Sequence, residues 1–113
     1  MLISKKFRFE SAHKLEDYKG KCENLHGHSY VLHVTIEGNI EKHGMVLDFH
    51  ELKDLVNKYI IDRLDHTFLN DLVPVSTCEN IAVWIWNELA SCLKLHEVKL
   101  FETEDSWVIY RGK

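Results

Sequence analysis

At 113 residues, with 45% hydrophobic side chains, the chain has the size and composition of one folded domain, residues 1–113, that buries a real core but leaves much surface open. Its formal charge of -4 comes from 14 basic and 18 acidic residues with the signs interspersed, and no basic run, zinc-finger or recognition-helix pattern marks a nucleic-acid partner. No stretch approaches the ~20 apolar residues that cross a bilayer, and the amino terminus lacks an apolar leader core, so the chain reads as soluble and cytoplasmic, with no membrane partner.

The first element is a strand: Ile3, Lys5, Phe7, Phe9 and Ser11 alternate with Ser4, Lys6, Arg8 and Glu10, the period of two expected of a half-buried strand. The polar run "KLEDYKGKCEN" predicts a loop. A second strand follows, with Tyr30, Leu32, Val34 and Ile36 on one face and Val31, His33, Thr35 and Glu37 on the other, before the turn chemistry of Gly38-Asn39. Antiparallel pairing of the two would bring His13, at the end of the first, close to His26 and His28, at the start of the second. The period then changes: Leu52, Leu55, Val56, Tyr59 and Ile60 recur at three and four, predicting a helix over about residues 49–62, with Asp48 and Glu51 as a capping box and a short strand around Met45 to Leu47 before it. Beyond Pro74, Ser76 and Glu79 form a second box, and Ile81, Trp84, Ile85 and Leu89 make the apolar stripe of a helix ending near Leu93. Glu97 to Glu102 and Trp107 to Arg111 predict two last strands around the turn "TEDS". The order β-β-α-α-β-β predicts an α+β fold, a four-stranded antiparallel sheet with two helices on one face. The opposite face has no cover within the chain, which favours association of copies over exposure.

A catalytic zinc needs neutral imidazoles, usually three protein ligands and an open position. His26 and His28, two apart, aim to one side of extended backbone, Gly27 leaves room between them, and the hairpin brings in His13 as a third nitrogen. Cys22 decides what kind of site this is. Bound to the metal it closes a structural staple; a few Å away it becomes a thiolate base or nucleophile, and spacing alone favours neither. Cys78 and Cys92, in or beside the second helix, read as small buried hydrophobes, and three widely spaced cysteines argue against a disulfide framework. Asp65-His66 places a carboxylate where it can fix a histidine tautomer. Glu102 ends a strand, where it can face a cleft and accept two N–H groups from a guanidine-like ring edge. His33, His43, His50 and His96 read as surface or partly buried histidines.

Taken in order, "FRFESAHKL", "KCENLHGHSY", "GMVLDF", "RLDHTFLN", "STCENIAVWIWNEL" and "LFET" span nearly the whole chain and resemble the 6-pyruvoyltetrahydropterin synthase family, most closely its 6-carboxytetrahydropterin synthase branch. The resemblance implies that His13, His26 and His28 bind a catalytic Zn2+, that Cys22 is the general base, and that Asp65 and His66 complete proton transfer. It implies Glu102 as anchor for the 2-amino and ring N–H edge of a pterin, with Thr77 at the same edge. The implied architecture is the tunnelling fold, in which sheets of several subunits close into an oligomeric barrel, commonly a homohexamer of two stacked trimers, with sites at subunit boundaries. Cys22 and Asp65-His66 would then come from neighbouring chains. The implied substrate is 7,8-dihydroneopterin triphosphate, on the 7-deazaguanine route to queuosine. The three-residue gap between Cys22 and His26 is like the carboxy-forming branch, while Ser76-Thr77 departs from the family's frequent Pro-Thr. Lys14, Lys19 and Lys21 are candidates for the triphosphate. The alternatives are the pyruvoyl-forming reaction, without side-chain cleavage, and a zinc-stapled interaction protein with no turnover.

Overall fold

The computed structural model describes residues 1–15 and 24–113. Two strands of 12 residues each, β1 (Leu2–His13) and β2 (His26–Glu37), pair antiparallel from Leu2 opposite Glu37 to His13 opposite His26. Their period of two is realised as expected: Phe7, Phe9, Tyr30, Leu32, Val34 and Ile36 are buried on one face while Lys6 and Arg8 are exposed on the other. The segment from Met45 to Leu47, expected as a short strand, forms turns instead.

The helical layer begins with α1 (Phe49–Val56), runs on through a π-helical segment (Asn57–Ile61) and ends in α2 (Asp62–Leu64). Asp48 caps it by accepting from the His50 N–H at 2.8 Å. The wider π turn keeps Ile60 and Leu64 in the core together with Leu52 and Val56. Next come β3 (Thr67–Phe68) and a 3-10 turn over Leu69–Asp71. The second long helix, α3 (Cys78–Leu89), is capped by Thr77, whose hydroxyl accepts from the Asn80 N–H at 3.2 Å. This corrects the expected cap at Ser76: the Ser76 side chain is buried and its hydroxyl donates to Asn70 Oδ1 at 2.9 Å, so it is not free to cap. The helix stops at Leu89, short of Leu93, because the chain turns back there to enter β4 (Leu95–Thr103), with the Leu93 N–H still bonded to the Leu89 carbonyl. Cys78 is buried as expected, whereas Cys92, in that turn, is exposed.

β4 leads through a tight turn to β5 (Ser106–Tyr110), and the sheet order is β3-β1-β2-β4-β5. The sheet therefore has five strands instead of four. The addition is β3, whose two residues pair parallel with Ser11 and Ala12 of β1. Two residues carry no readable period, and this parallel pairing is made possible by the rod of α1 and α2 returning the chain to the start of the sheet edge. All the helices lie on one face, where Ile81, Ala82, Ile85 and Leu89 of α3 meet Val98 and Leu100 of β4. Leu100, fully buried in that layer, is expected to cost about 2–5 kcal/mol when replaced by alanine, read as a lower urea midpoint with an unchanged slope.

The other face carries His33, Phe101 and Trp107 in a row, with ring centroids 5.3 Å and 5.1 Å apart and Lys99 over the last two rings. No helix covers it among the described residues, and Trp107 and Ile109 are 48% and 46% exposed. No helix of the described residues is long and apolar enough to cross a membrane.

Candidate metal centre

The register of the hairpin builds the site. On the helix-facing side of the sheet, His13 lies opposite His26, and one step inward Ser11 lies opposite His28. Alternation points all three imidazoles the same way, and their ligating nitrogens lie within 4.8 Å of one another. Gly27 is less critical than its place between the ligands suggests, since a Cβ there would make only an ordinary contact, 3.4 Å from the Ser11 carbonyl oxygen.

The hydrogen bonds around the rings decide what the trio suits. His13 Nδ1 lies 2.7 Å from the Ser76 carbonyl oxygen, and His26 Nδ1 lies 2.6 Å from that of Asn24. A carbonyl only accepts, so each Nδ1 must carry the proton, which leaves both Nε2 atoms as lone-pair donors. Those two atoms face each other at 2.9 Å. Two lone pairs at that distance repel until a shared proton or a metal ion lies between them and draws on both. His28 Nε2 is buried and has no hydrogen-bond partner among the described residues. Burial also lowers the His28 pKa, with Glu102 opposing and the other two histidines reinforcing the shift, which favours the neutral ring a metal needs. Three neutral nitrogens, two of them oriented by backbone carbonyls, fit a bound metal ion.

Glu102 joins the trio from β4. Its carboxylate oxygens lie 3.9 Å from His28 Nε2 and 4.0 Å from His13 Nε2, and its side chain is 28% exposed. Beside it opens a cavity of about 260 Å³ that Glu102 lines with Leu15, Thr77, Cys78, Glu79 and Trp107. Thr77 and Glu102 thus share one wall system, next to the histidines. Cys78 is a poor nucleophile at its floor: burial, helped by the charges of Glu102 and Glu79, pushes its thiol up to about 12.

Asp65 and His66 are paired, but stand apart from the trio. His66 Nδ1 lies 3.1 Å from Asp65 Oδ2, and Asp65 Oδ1 accepts from the Glu10 N–H at 2.8 Å. Adjacent residues meet in this way because His66 takes a left-handed φ of 56° and donates its own N–H to the Glu10 carbonyl. The Glu10 N–H, and secondarily His66, hold the Asp65 carboxyl below the ordinary carboxylate range. The exposed His66 ring lines a cavity of about 520 Å³ that reaches Gly27, His28 and Ser29. Cys22, Lys19 and Lys21 lie outside the described residues. Sequence reasoning missed the Ser76 and Asn24 carbonyls, which no residue type signals. It also missed the buried Tyr30 hydroxyl, whose aromatic ring read only as core.

A sheet with three convergent imidazoles at one end, two of them backed by carbonyls and the group flanked by a carboxylate, defines an α+β protein with a histidine trio that could hold a metal ion. The model of the PTPS family, described as 6-pyruvoyl tetrahydropterin synthase, matches residues 2–113, and the chain belongs to that family of tetrahydropterin synthases. It is 38% identical to a 6-pyruvoyl tetrahydrobiopterin synthase of Dictyostelium discoideum, over all of this chain and 97% of the relative. It is equally 38% identical to a 6-carboxy-5,6,7,8-tetrahydropterin synthase of Haemophilus influenzae, over 96% of this chain and 97% of that one. Its fold matches the structure of Caenorhabditis elegans 6-pyruvoyl tetrahydropterin synthase with a TM-score of 0.90 and 30% identity, covering 100% of this chain and 96% of the other. Names of both reactions therefore occur among its relatives at the same level of identity.

Proposed function

We propose that the chain is a zinc-dependent 6-carboxy-5,6,7,8-tetrahydropterin synthase, which converts 7,8-dihydroneopterin triphosphate and water to 6-carboxy-5,6,7,8-tetrahydropterin, acetaldehyde and triphosphate on the route to 7-deazaguanines and queuosine. The observation that carries this reading is the convergence of His13, His26 and His28 within reach of Glu102 and the adjoining Thr77 cavity. His13, His26 and His28 hold the zinc, which when bound acts as a Lewis acid toward the side-chain hydroxyls of the substrate. Imidazole nitrogens suit zinc among the common divalent ions, and among the described residues no cysteine joins the trio.

The protein's own groups supply orientation and proton transfer. Glu102 accepts the 2-amino and ring N–H donors of the pterin, and Thr77 bounds the same edge. Cys22 takes the side-chain proton as thiolate. His66 Nδ1–H donates to Asp65, so Nε2 presents the lone pair and serves as the second proton carrier. Homo-oligomer formation completes the site. Most of β1, from Leu2 to Phe9, and the outer side of β5 are unpaired sheet edges among the described residues, and joining such edges head to tail closes a ring. A barrel of three chains, stacked in pairs as a hexamer, would also cover the Phe101 and Trp107 face and bring His66 of one copy toward the trio of another.

The choice of branch rests on the three-residue gap between Cys22 and His26. The runner-up, 6-pyruvoyltetrahydropterin formation, stays open because proteins of that name are related at the same 38% identity, while Ser76-Thr77 in place of Pro-Thr bears on the shape of the loop before α3 and not on the branch. Product analysis decides between them. Zinc-loaded protein incubated with 7,8-dihydroneopterin triphosphate is expected to release acetaldehyde and carboxytetrahydropterin in equal amounts, and pyruvoyltetrahydropterin as sole product would move the assignment to the runner-up.

A further inference from the structure

Tyr30 is a core aromatic by position, yet its hydroxyl has no part in the chemistry above. The ring is fully buried and stacked on Phe9, with centroids 4.9 Å apart and planes within 8°. Its neighbours toward the end of the sheet are the His28 and His13 rings, met at steep angles with centroids 5.6 Å and 6.4 Å away. With the ring held from both sides the hydroxyl has a fixed position, but no hydrogen-bond partner among the described residues.

The register identifies what it faces. Val31 opposite Phe101 is the last pair of the β2–β4 ladder, and Glu102, the next residue of β4, turns to the helix-facing side on the end of the sheet where Tyr30 lies. The nitrogens nearest the Glu102 carboxylate are His28 Nε2 and His13 Nε2, at 3.9 Å and 4.0 Å. Once their lone pairs are used on a metal, they offer Glu102 no proton. Among the described residues, a buried donor without an acceptor and a partly buried carboxylate without a donor thus both adjoin the His28 and His13 rings. A phenylalanine would fill the same space without the cost of an unpaired buried hydroxyl.

We infer that Tyr30 is a positioning residue for pterin recognition: its O–H donates to the inner side of the Glu102 carboxylate when the site is occupied, so that the outer lone pairs meet the guanidine-like edge of the ligand. The inference rests on the reading of Glu102 as the pterin anchor. A carboxylate fixed in this way also stays turned toward the cavity, away from the metal that the neighbouring histidines hold.

The test titrates neopterin, which carries the pterin edge but no triphosphate, into zinc-loaded wild type, Tyr30→Phe, Glu102→Gln and the double variant, following pterin fluorescence. Tyr30→Phe is expected to weaken binding about tenfold with a Tm equal to or above that of wild type, and to add nothing further in the Glu102→Gln background. In turnover, it should raise KM for the triphosphate substrate and leave kcat near wild type. Wild-type neopterin affinity in Tyr30→Phe would overturn the inference. So would a loss that adds in full to that of Glu102→Gln, or a lowered Tm, since both mark a purely structural hydroxyl. A wild-type protein that takes up zinc but no neopterin would instead reject the anchor reading of Glu102, and the inference with it.

Discussion

His26→Ala is expected to lower turnover about 10³-fold and to remove the rise in Tm that zinc gives the wild-type chain, while the metal-free variant stays as stable as metal-free wild type or becomes more so. The rate follows from the several kcal/mol of charge stabilisation a bound metal supplies, at ~1.4 kcal/mol for each tenfold. The stability effect has two parts. Zinc binding only the native chain at 100 times its Kd stabilises it by about 2.7 kcal/mol, and a trio cut to two ligands loses most of that. Without metal, however, the Nε2 atoms of His26 and His13 face each other at 2.9 Å with both Nδ1 atoms committed to carbonyls, a contact of two neutral rings that only a shared proton relieves. Removing the half-buried ring at the end of the sheet relieves that contact and leaves no enclosed cavity. Thermal unfolding with and without zinc, together with metal content after dialysis, measures both parts. A variant that keeps full zinc content and wild-type kcat would sink the assignment of His26 as a ligand.

The same residues show why this site was legible in the sequence and others were not. β1 and β2 are long strands with one buried face, so a period of two in each fixed which residues share a side, and burial of Phe9 and Tyr30 left the hairpin no freedom to slip by one residue. Once that register is set, His13, His26 and His28 must converge. β3 had no such signal, since a two-residue strand is defined by tertiary pairing with Ser11 and Ala12 and not by any local pattern. The cap of α3 turned on the choice between neighbouring hydroxyl residues, and Asn70 made it by engaging Ser76. Asp65-His66 depended on a left-handed backbone at a residue other than glycine, which sequence does not announce. Tyr30 shows the converse limit: its periodicity correctly placed it in the core, but the period cannot report that its hydroxyl lacks a partner there.

Cys22→Ala separates the catalytic reading from the staple reading with the second large effect. As general base, Cys22 accounts for about 10²–10⁴ in rate, so the variant is expected to lose that much kcat while keeping wild-type zinc content, oligomeric state and the zinc-dependent rise in Tm. As a fourth ligand, its removal would instead open the coordination sphere, and zinc affinity and folding would fall together. Chain length allows both, because four residues can span about 13–14 Å when extended. The surroundings of the trio favour the first. Among the described residues, His13 and His26 are already oriented by carbonyls, the trio offers nitrogen alone, and the Glu102 carboxylate lies 3.9–4.0 Å from two of its nitrogens. Two of the three ligands are thus oriented without a thiolate. Full turnover in Cys22→Ala would remove the base from the mechanism, and loss of zinc along with activity would return the site to a four-coordinate staple.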